Sequence, residues 1–425
     1  GEDLSHAKVL ASQVNAQLAA RQQTLLAFQA VRVAVLIDQW LDHHRDVLRS
    51  SPATQNRYRS AVAHLRRFVV QTPGIRYAHE VNAEAFVRYL RKVRAAPNGH
   101  ANTGKRPLRD KTVRFVLSAC RSMYHYALKH RMLPPHSENP FSTLRIERMR
   151  LDDAKPIHVF SADEEHGFLA ACDAWQFPIF FVLANLGLRS GELTHLLVEN
   201  ADLDHATLHI CSKADTGWWV KTRTDRAIPL PGPLAELLSR VVAGRRAGVL
   251  FSQRGCGDVR TARLPDATHD ALAREHARRL RSASTRPDEP PSPSEQMRLA
   301  GRLWLDAGAI TNDRIRLEFM RITRRIGLAN VTAPKCWRHT FATLMQEAGV
   351  DPLIRQQTMG HTPTDRSKGI LGMTGVYTHT PPDLHRQQLQ RVLDLRPRSI
   401  ALLQSWLAGD WPPPSCLVDP EGGVQ

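Results

Sequence analysis

The sequence predicts a mainly α-helical protein of two domains, with a small β-sheet in the second. Three observations carry this. The 425 residues exceed what one small core organises. Apolar residues recur at helical spacing through the first 150 positions. From Leu208 onward, short alternating runs read as strands. The boundaries fall at an N-terminal helix and linker over 1–31, a helical domain over 32–148, a linker over 149–157 and a second domain over 158–425.

In the first part, Val9, Leu10, Val14, Leu18, Leu25 and Leu26 predict a helix over 4–30, and Val33 to Leu41 a second one. Ser51-Pro52 opens a third helix through Val70, because Ser caps and Pro fits the first turn. Asn82 caps a helix to about Ala95, a loop follows over 96–109, and Asp110 caps a long helix to about Met132. The segment Ile146 to Ile157 reads as exposed.

In the second part, Ser161 and Glu164 form a capping-box start. Phe177 to Leu197 reads as one buried helix, and Leu208 to Cys211 with Trp218 to Ile228 as strands about a turn at Ala214 to Gly217. Leu234 to Val242 is helical. Residues 253–295 are poor in core residues and rich in Arg, Ser and Pro, which predicts a mobile insertion. A tail helix is expected at about 398–411.

Composition narrows the function. The chain holds 58 Lys and Arg against 41 Asp and Glu. Between Arg32 and Arg150 there are 23 basic and eight acidic residues, so most of the surplus lies in the first third. Such a surface suits a polyanion, most simply nucleic acid; a well-solvated basic surface is the plainer alternative. No run approaches the ~20 apolar residues of a membrane span, and Glu2, Asp3 and His6 predict that the first ten residues do not serve as a signal peptide. Gly1 in place of Met predicts residues upstream. Cys120, Cys172, Cys211, Cys256, Cys336 and Cys416 are widely spaced, which argues against a clustered zinc site or disulfide scaffold and for a reducing, cytoplasmic setting.

Several short motifs are weak singly. Arg189 and Glu192, three apart in Gly187 to Leu193, would pair on any helix surface. Lys221 is an ordinary solvated lysine beside a strand pair. Arg338-His339-Thr340 fits a buried helix start, and His361 after Gly360 fits a cap. Tyr377 is the only tyrosine after Tyr126.

Taken together and in order, Gly187 to Leu193, Trp337 to Thr343, Met359 to His361 and Val376 to His379 resemble the tyrosine recombinases, the phage-type integrases. The resemblance runs from about Val33 to Arg391. It implies a helical core-DNA-binding domain and a mixed α/β catalytic domain that form a clamp on DNA. It implies Tyr377 as nucleophile, Arg189 and Arg338 on the scissile phosphate, Lys221 as general acid, His361 as the second family histidine, and Glu192 in the acidic supporting position. Asn139-Pro140-Phe141 resembles the family's interdomain junction.

The residue types suit that chemistry. Guanidinium forks match phosphate oxygens and stay charged; a tyrosine hydroxyl needs activation; the departing 5′ oxygen needs a proton. Exchanging one phosphodiester for a phosphotyrosine ester conserves bond energy, so no cofactor, ATP or metal is expected, and no Walker loop or carboxylate cluster is visible.

Two departures stand out. Lys335 occupies the position where the family usually carries His; it can donate to phosphate but cannot accept while charged. The stretch from His361 to Tyr377 is longer than usual, with Gly369 and Gly372. It reads equally as a permissive loop or a surface insertion. The expected partners are duplex DNA at attachment sites, three further copies of the chain in a tetramer, with the tail helix packed on its own domain or docked on a neighbouring protomer, and DNA-bending accessory proteins. The expected setting is the cytoplasm, at the nucleoid. Two other readings fit parts of the pattern: a type IB topoisomerase, and a DNA-binding regulator without catalysis.

Overall fold

Helices form where capping chemistry and apolar spacing coincide. A computed structural model describes residues 2–19, 30–96, 104–135, 137–151, 156–254, 263–264, 266–284, 291–361 and 380–411. The chain forms two compact units, 1–155 and 156–425.

The first unit contains α1 (Glu2–Ala19), α2 (Val33–Asp42), α3 (Pro52–Gln71), α4 (Ala83–Lys92) and α5 (Asp110–Lys129). Residues 20–29 of the long helix expected first lie outside the described residues. Ser51 Oγ accepts the Thr54 N–H at 3.3 Å and Asn82 Oδ1 that of Ala85 at 2.9 Å, satisfying otherwise unpaired donors of the first turn. Leu36, Trp40, Leu65, Phe86, Leu117 and Tyr124 meet in the core.

Three expectations are corrected in this unit. Asp110 is the first helical residue, not the cap, and pairs with Arg91. α4 stops at Lys92 because β1 (Arg94–Ala95) pairs antiparallel with β2 (Arg106–Pro107); strands of two residues leave no period to read. The segment expected to be exposed after Arg145 starts on a buried Ile146. Asn139 Nδ2 donates to the Arg121 carbonyl at 2.8 Å, and Phe141 is fully buried. That motif therefore helps to close this unit's own core.

The second unit opens with α6 (Ala162–Ala170), whose capping box is present as expected. α7 (Gln176–Leu186) is buried along all eleven residues. It does not continue to Leu197: Gly187 turns the chain at φ 57°, and a Cβ there would lie 2.5 Å from the Phe341 ring. α8 (Ser190–Leu193) follows. β3 (Ala201–Asp202), β4 (Thr207–Ile210) and β5 (Arg226–Pro229) form an antiparallel sheet in that order, with Ile210 opposite Arg226. The last strand was expected from Trp218; it begins at Arg226, and Trp218 instead makes an isolated bridge with Lys213.

α9 (Gly232–Val242) precedes the segment expected to be a mobile insertion. Part of that segment, 255–262, 265 and 285–290, lies outside the described residues. The rest contains α10 (His269–Ala283), packed on α11 (Pro293–Asp306). Only Leu272 and His276 of α10 are buried, so its apolar period is faint. Its order comes from polar contacts: Arg279 to Glu275 and Asp306, and His276 Nδ1 to the Asp215 carbonyl at 2.7 Å.

α12 (Asn312–Arg325), α13 (Lys335–Glu347), α14 (Pro352–Met359), α15 (Pro382–Asp394) and α16 (Pro397–Ala408) complete the unit. The tail helix packs on its own unit, one of the two surfaces expected for it. Leu403 is fully buried, Trp406 Nε1 donates to the Ala174 carbonyl, and the Trp411 ring sits 4.4 Å from Phe177. The apolar stripe was visible in the sequence; the acceptor face, assembled from α6, α7 and α9, was not.

Candidate active site

The site grows from two helix C-termini. α7 ends at Gly187 and α14 at Gly360, both in the left-handed conformation, and each end presents carbonyls without helical partners. Arg338, buried on α13, spans them: Nη1 donates to the Gly187 carbonyl at 2.6 Å and Nη2 to that of Met359. A cation at two helix C-termini also complements their dipoles. Arg189, two residues beyond Gly187, donates from Nη2 to the Gly360 carbonyl at 3.3 Å. The two arginines therefore bracket one short backbone stretch.

Glu192 sets the Arg189 guanidinium. Its Oε1 accepts from Nη1 at 2.6 Å, and its Oε2 accepts from the Arg189 backbone N–H at 2.9 Å. Burial pushes the Glu192 carboxyl up, but the hydrogen bonds and charge of Arg226, then those of Arg189, outweigh it and hold the group below its ordinary pKa. It is a carboxylate at neutral pH.

His361 follows Gly360 directly. Partial burial, then the charges of Arg338, Arg189 and Arg226, drop its pKa to about 4. It is a neutral imidazole at neutral pH, able to accept a proton, and its ring is exposed. Arg338 falls to about 10 through burial and then Arg189, which still leaves it charged.

Four of the seven expected residues thus converge: Arg189, Glu192, Arg338 and His361. Lys335 is exposed one turn before Arg338 on α13. Lys221 is exposed in the turn after Val220, away from any strand. Tyr377 lies outside the described residues. The helix after it, α15, is tied to α14: Thr358 Oγ1 bonds His385 Nε2 at 2.7 Å, and Gln388 Oε1 accepts from the Asp351 N–H at 2.6 Å.

Residues 158–381 match the phage integrase family, more than half of the chain. The chain belongs to that family. It is accordingly a DNA breaking and rejoining enzyme of the site-specific recombinase type, with DNA as its partner. Among solved structures, the Tn1549 transposon integrase in complex with transposon right end DNA is 17% identical, covering 85% of this chain and 100% of that one, with TM-score 0.52. The same integrase in complex with circular intermediate DNA is 16% identical over 84% and 99%, with TM-score 0.51. At such identities the likeness is one of fold. No curated protein matches the chain in sequence.

This phage integrase family member uses a further residue that sequence reasoning missed. Arg226, at the start of β5, donates from Nη2 and Nη1 to both oxygens of Glu192, at 2.7 and 3.2 Å, and from Nε to the Thr358 carbonyl at 3.0 Å. It joins the sheet, α8 and the end of α14. Gly360 is required beside it, since a Cβ there would lie 2.7 Å from its guanidinium. A signal existed: Arg226 shares a strand face with buried Ile228, so a charge occupies an inward phase. Among the described residues no group of three or more metal-ligating side chains is present, and no helix is long and apolar enough to cross a membrane.

Proposed function

We propose that this chain is the integrase of a mobile element, cutting and rejoining duplex DNA at attachment sites through a 3′-phosphotyrosine on Tyr377. The observation that carries the reading is the pair of guanidiniums, Arg189 and Arg338, fixed about Gly360 with a neutral His361 beside them. Preorganised cations at one point suit a phosphoryl centre on which charge develops. Tyr377 lies five residues before Pro382, where a helix bonded to α14 begins, and this tether supports its return to the same site.

In the reaction the phenolic oxygen attacks phosphorus while Arg189 and Arg338 hold the non-bridging oxygens. Glu192 keeps Arg189 in place, Lys335 adds a phosphate contact, and Lys221 of the β4–β5 hairpin protonates the 5′ oxygen. The basic 32–148 region and the 158–425 domain each contact the duplex. Four protomers act on two sites, with DNA-bending factors, at the nucleoid in the cytoplasm.

A suicide duplex tests this. The full chain should trap a denaturant-resistant adduct and exchange strands between two duplexes. Tyr377→Phe should bind DNA but form no adduct; an adduct on that variant removes Tyr377 as nucleophile. Relaxation of supercoils without strand exchange would favour the topoisomerase reading.

A further inference from the structure

α8 is a helix of only four residues, with Arg189 as its N-cap and Glu192 inside it. One turn closes too few backbone bonds to hold its own direction, so whatever fixes α8 also aims the Arg189 guanidinium. Two anchors belong to the site already described: Arg189 Nη2 on the Gly360 carbonyl, and Arg226 on Glu192. A third comes from outside it. The Gly191 carbonyl is among the last of α8, where the helix supplies no partner. It accepts from His195 Nδ1 at 2.8 Å and from Thr194 Oγ1 at 3.2 Å.

The His195 ring is itself held on two sides. Trp218 stacks on it with centroids 4.8 Å apart and planes 12° from parallel, and Trp304 meets it edge-on at 4.6 Å and 69°. Trp218 belongs to the segment between β4 and β5, and Trp304 to α11, which packs on α10. Among the described residues Trp304 Nε1 is buried without a hydrogen-bond partner, so its ring is kept there for packing and not for its donor. A carbonyl only accepts, so His195 Nδ1 carries the proton of the Gly191 bond. Burial drops the His195 pKa to about 4 against that bond, and the charge of Lys213 adds to the fall. The ring is neutral at neutral pH.

We propose that His195 is a positioning residue for the reaction: through the Gly191 carbonyl it sets the direction of α8, and so the aim of Arg189 on the scissile phosphate, while Trp218 and Trp304 fix its ring. The assignment rests on the phosphotyrosine reading above. The imidazole acts through Arg189 and not on the reacting atoms. By this route α11 influences the chemistry without reaching it. The leverage is large, because a misplacement of about 1 Å at a reacting group costs on the order of 10²-fold in rate, and supporting contacts decide whether a site is held that closely.

The test uses the full chain and suicide duplexes that carry either an ordinary scissile phosphodiester or an uncharged methylphosphonate, in which a methyl group replaces one non-bridging oxygen. Without that charge the reaction no longer depends on a well-aimed guanidinium. His195→Phe keeps a ring between the tryptophans and loses the donor. At saturating DNA it should cleave the phosphodiester on the order of 10-fold or more slowly, with Kd unchanged in gel shifts, and most of that gap should close on the methylphosphonate. His195→Asn restores an amide donor near the position of Nδ1 and should recover most of the loss. Trp304→Phe gives up no hydrogen bond and should show a smaller defect with the same relief, which covers misfolding of the His195 variants. Normal phosphodiester cleavage by His195→Phe, or by Trp304→Phe if His195→Phe does not fold, overturns the assignment. So does a defect of equal size on both substrates, a loss in Kd instead of rate, or an Asn variant no faster than the Phe one. A wild-type chain that traps no adduct on either substrate overturns the phosphotyrosine reading itself.

Discussion

Arg226→Ala is the sharpest probe of how the site is held. The substitution removes both bonds to Glu192, which is 2% exposed in the wild type, and the bond to the Thr358 carbonyl. Breaking a buried pair from one side costs about 3–5 kcal/mol. Arg189 still pairs with the carboxylate, so the lower end, about 3 kcal/mol, applies. For a unit of this size that is a fall in Tm of roughly 6–12 °C. The pH dependence has a definite sign. In the wild type the Glu192 pKa is depressed, so its contribution is full above the unfolded value and is lost as pH falls through the folded one. Without Arg226, burial raises the carboxyl instead, and its charged form is destabilising at neutral pH. The gap between variant and wild type should therefore narrow from pH 7 toward pH 4. Thermal melts followed by circular dichroism at four pH values measure it. A Tm within 1 °C of wild type, or a gap independent of pH, refutes the argument.

Three further outcomes follow from the same geometry. Arg189→Ala and Arg338→Ala should each slow suicide-substrate cleavage on the order of 10²-fold or more, and Arg338→Ala should also lower Tm, because the Gly187 and Met359 carbonyls lose their donor. DNA affinity of the full chain should fall steeply with salt in a gel-shift titration, and a 156–425 fragment should bind more weakly with a shallower slope, since most of the positive surplus lies in 32–150. Truncation at Pro397 should destabilise the free monomer in urea melts, because it removes the buried Leu403 and both tryptophan contacts; an unchanged midpoint would mean the tail is not part of this unit's core.

The legible parts of the chain were those with local chemistry. Ser51, Asn82 and the Ser161–Glu164 box announce helix starts because a cap acts within three residues. Arg189, Glu192, Arg338 and His361 were found because their short motifs, taken together and in order, resemble the tyrosine recombinases. What was missed depends on distant partners. Gly187 breaks the long helix because Phe341, more than 150 positions away, occupies its Cβ space. Arg226 matters only once Glu192 and Thr358 are placed beside it. α10 looked disordered because its ion pairs reach across to α11, where no periodicity records them. The tail stripe was visible, but one amphipathic face cannot say which surface will cover it.

The wholly buried α7 has a consequence for how this enzyme can vary. Arg189 stands only three residues beyond its last turn, so its guanidinium inherits its coordinates from Phe177, Phe180 and Phe181 rather than from any loop. Interiors packed to crystalline density pass a displacement on instead of absorbing it. Interior substitutions that leave the unit folded will therefore misaim its chemistry, and the hydrophobic centre of the protein is as constrained by turnover as by folding.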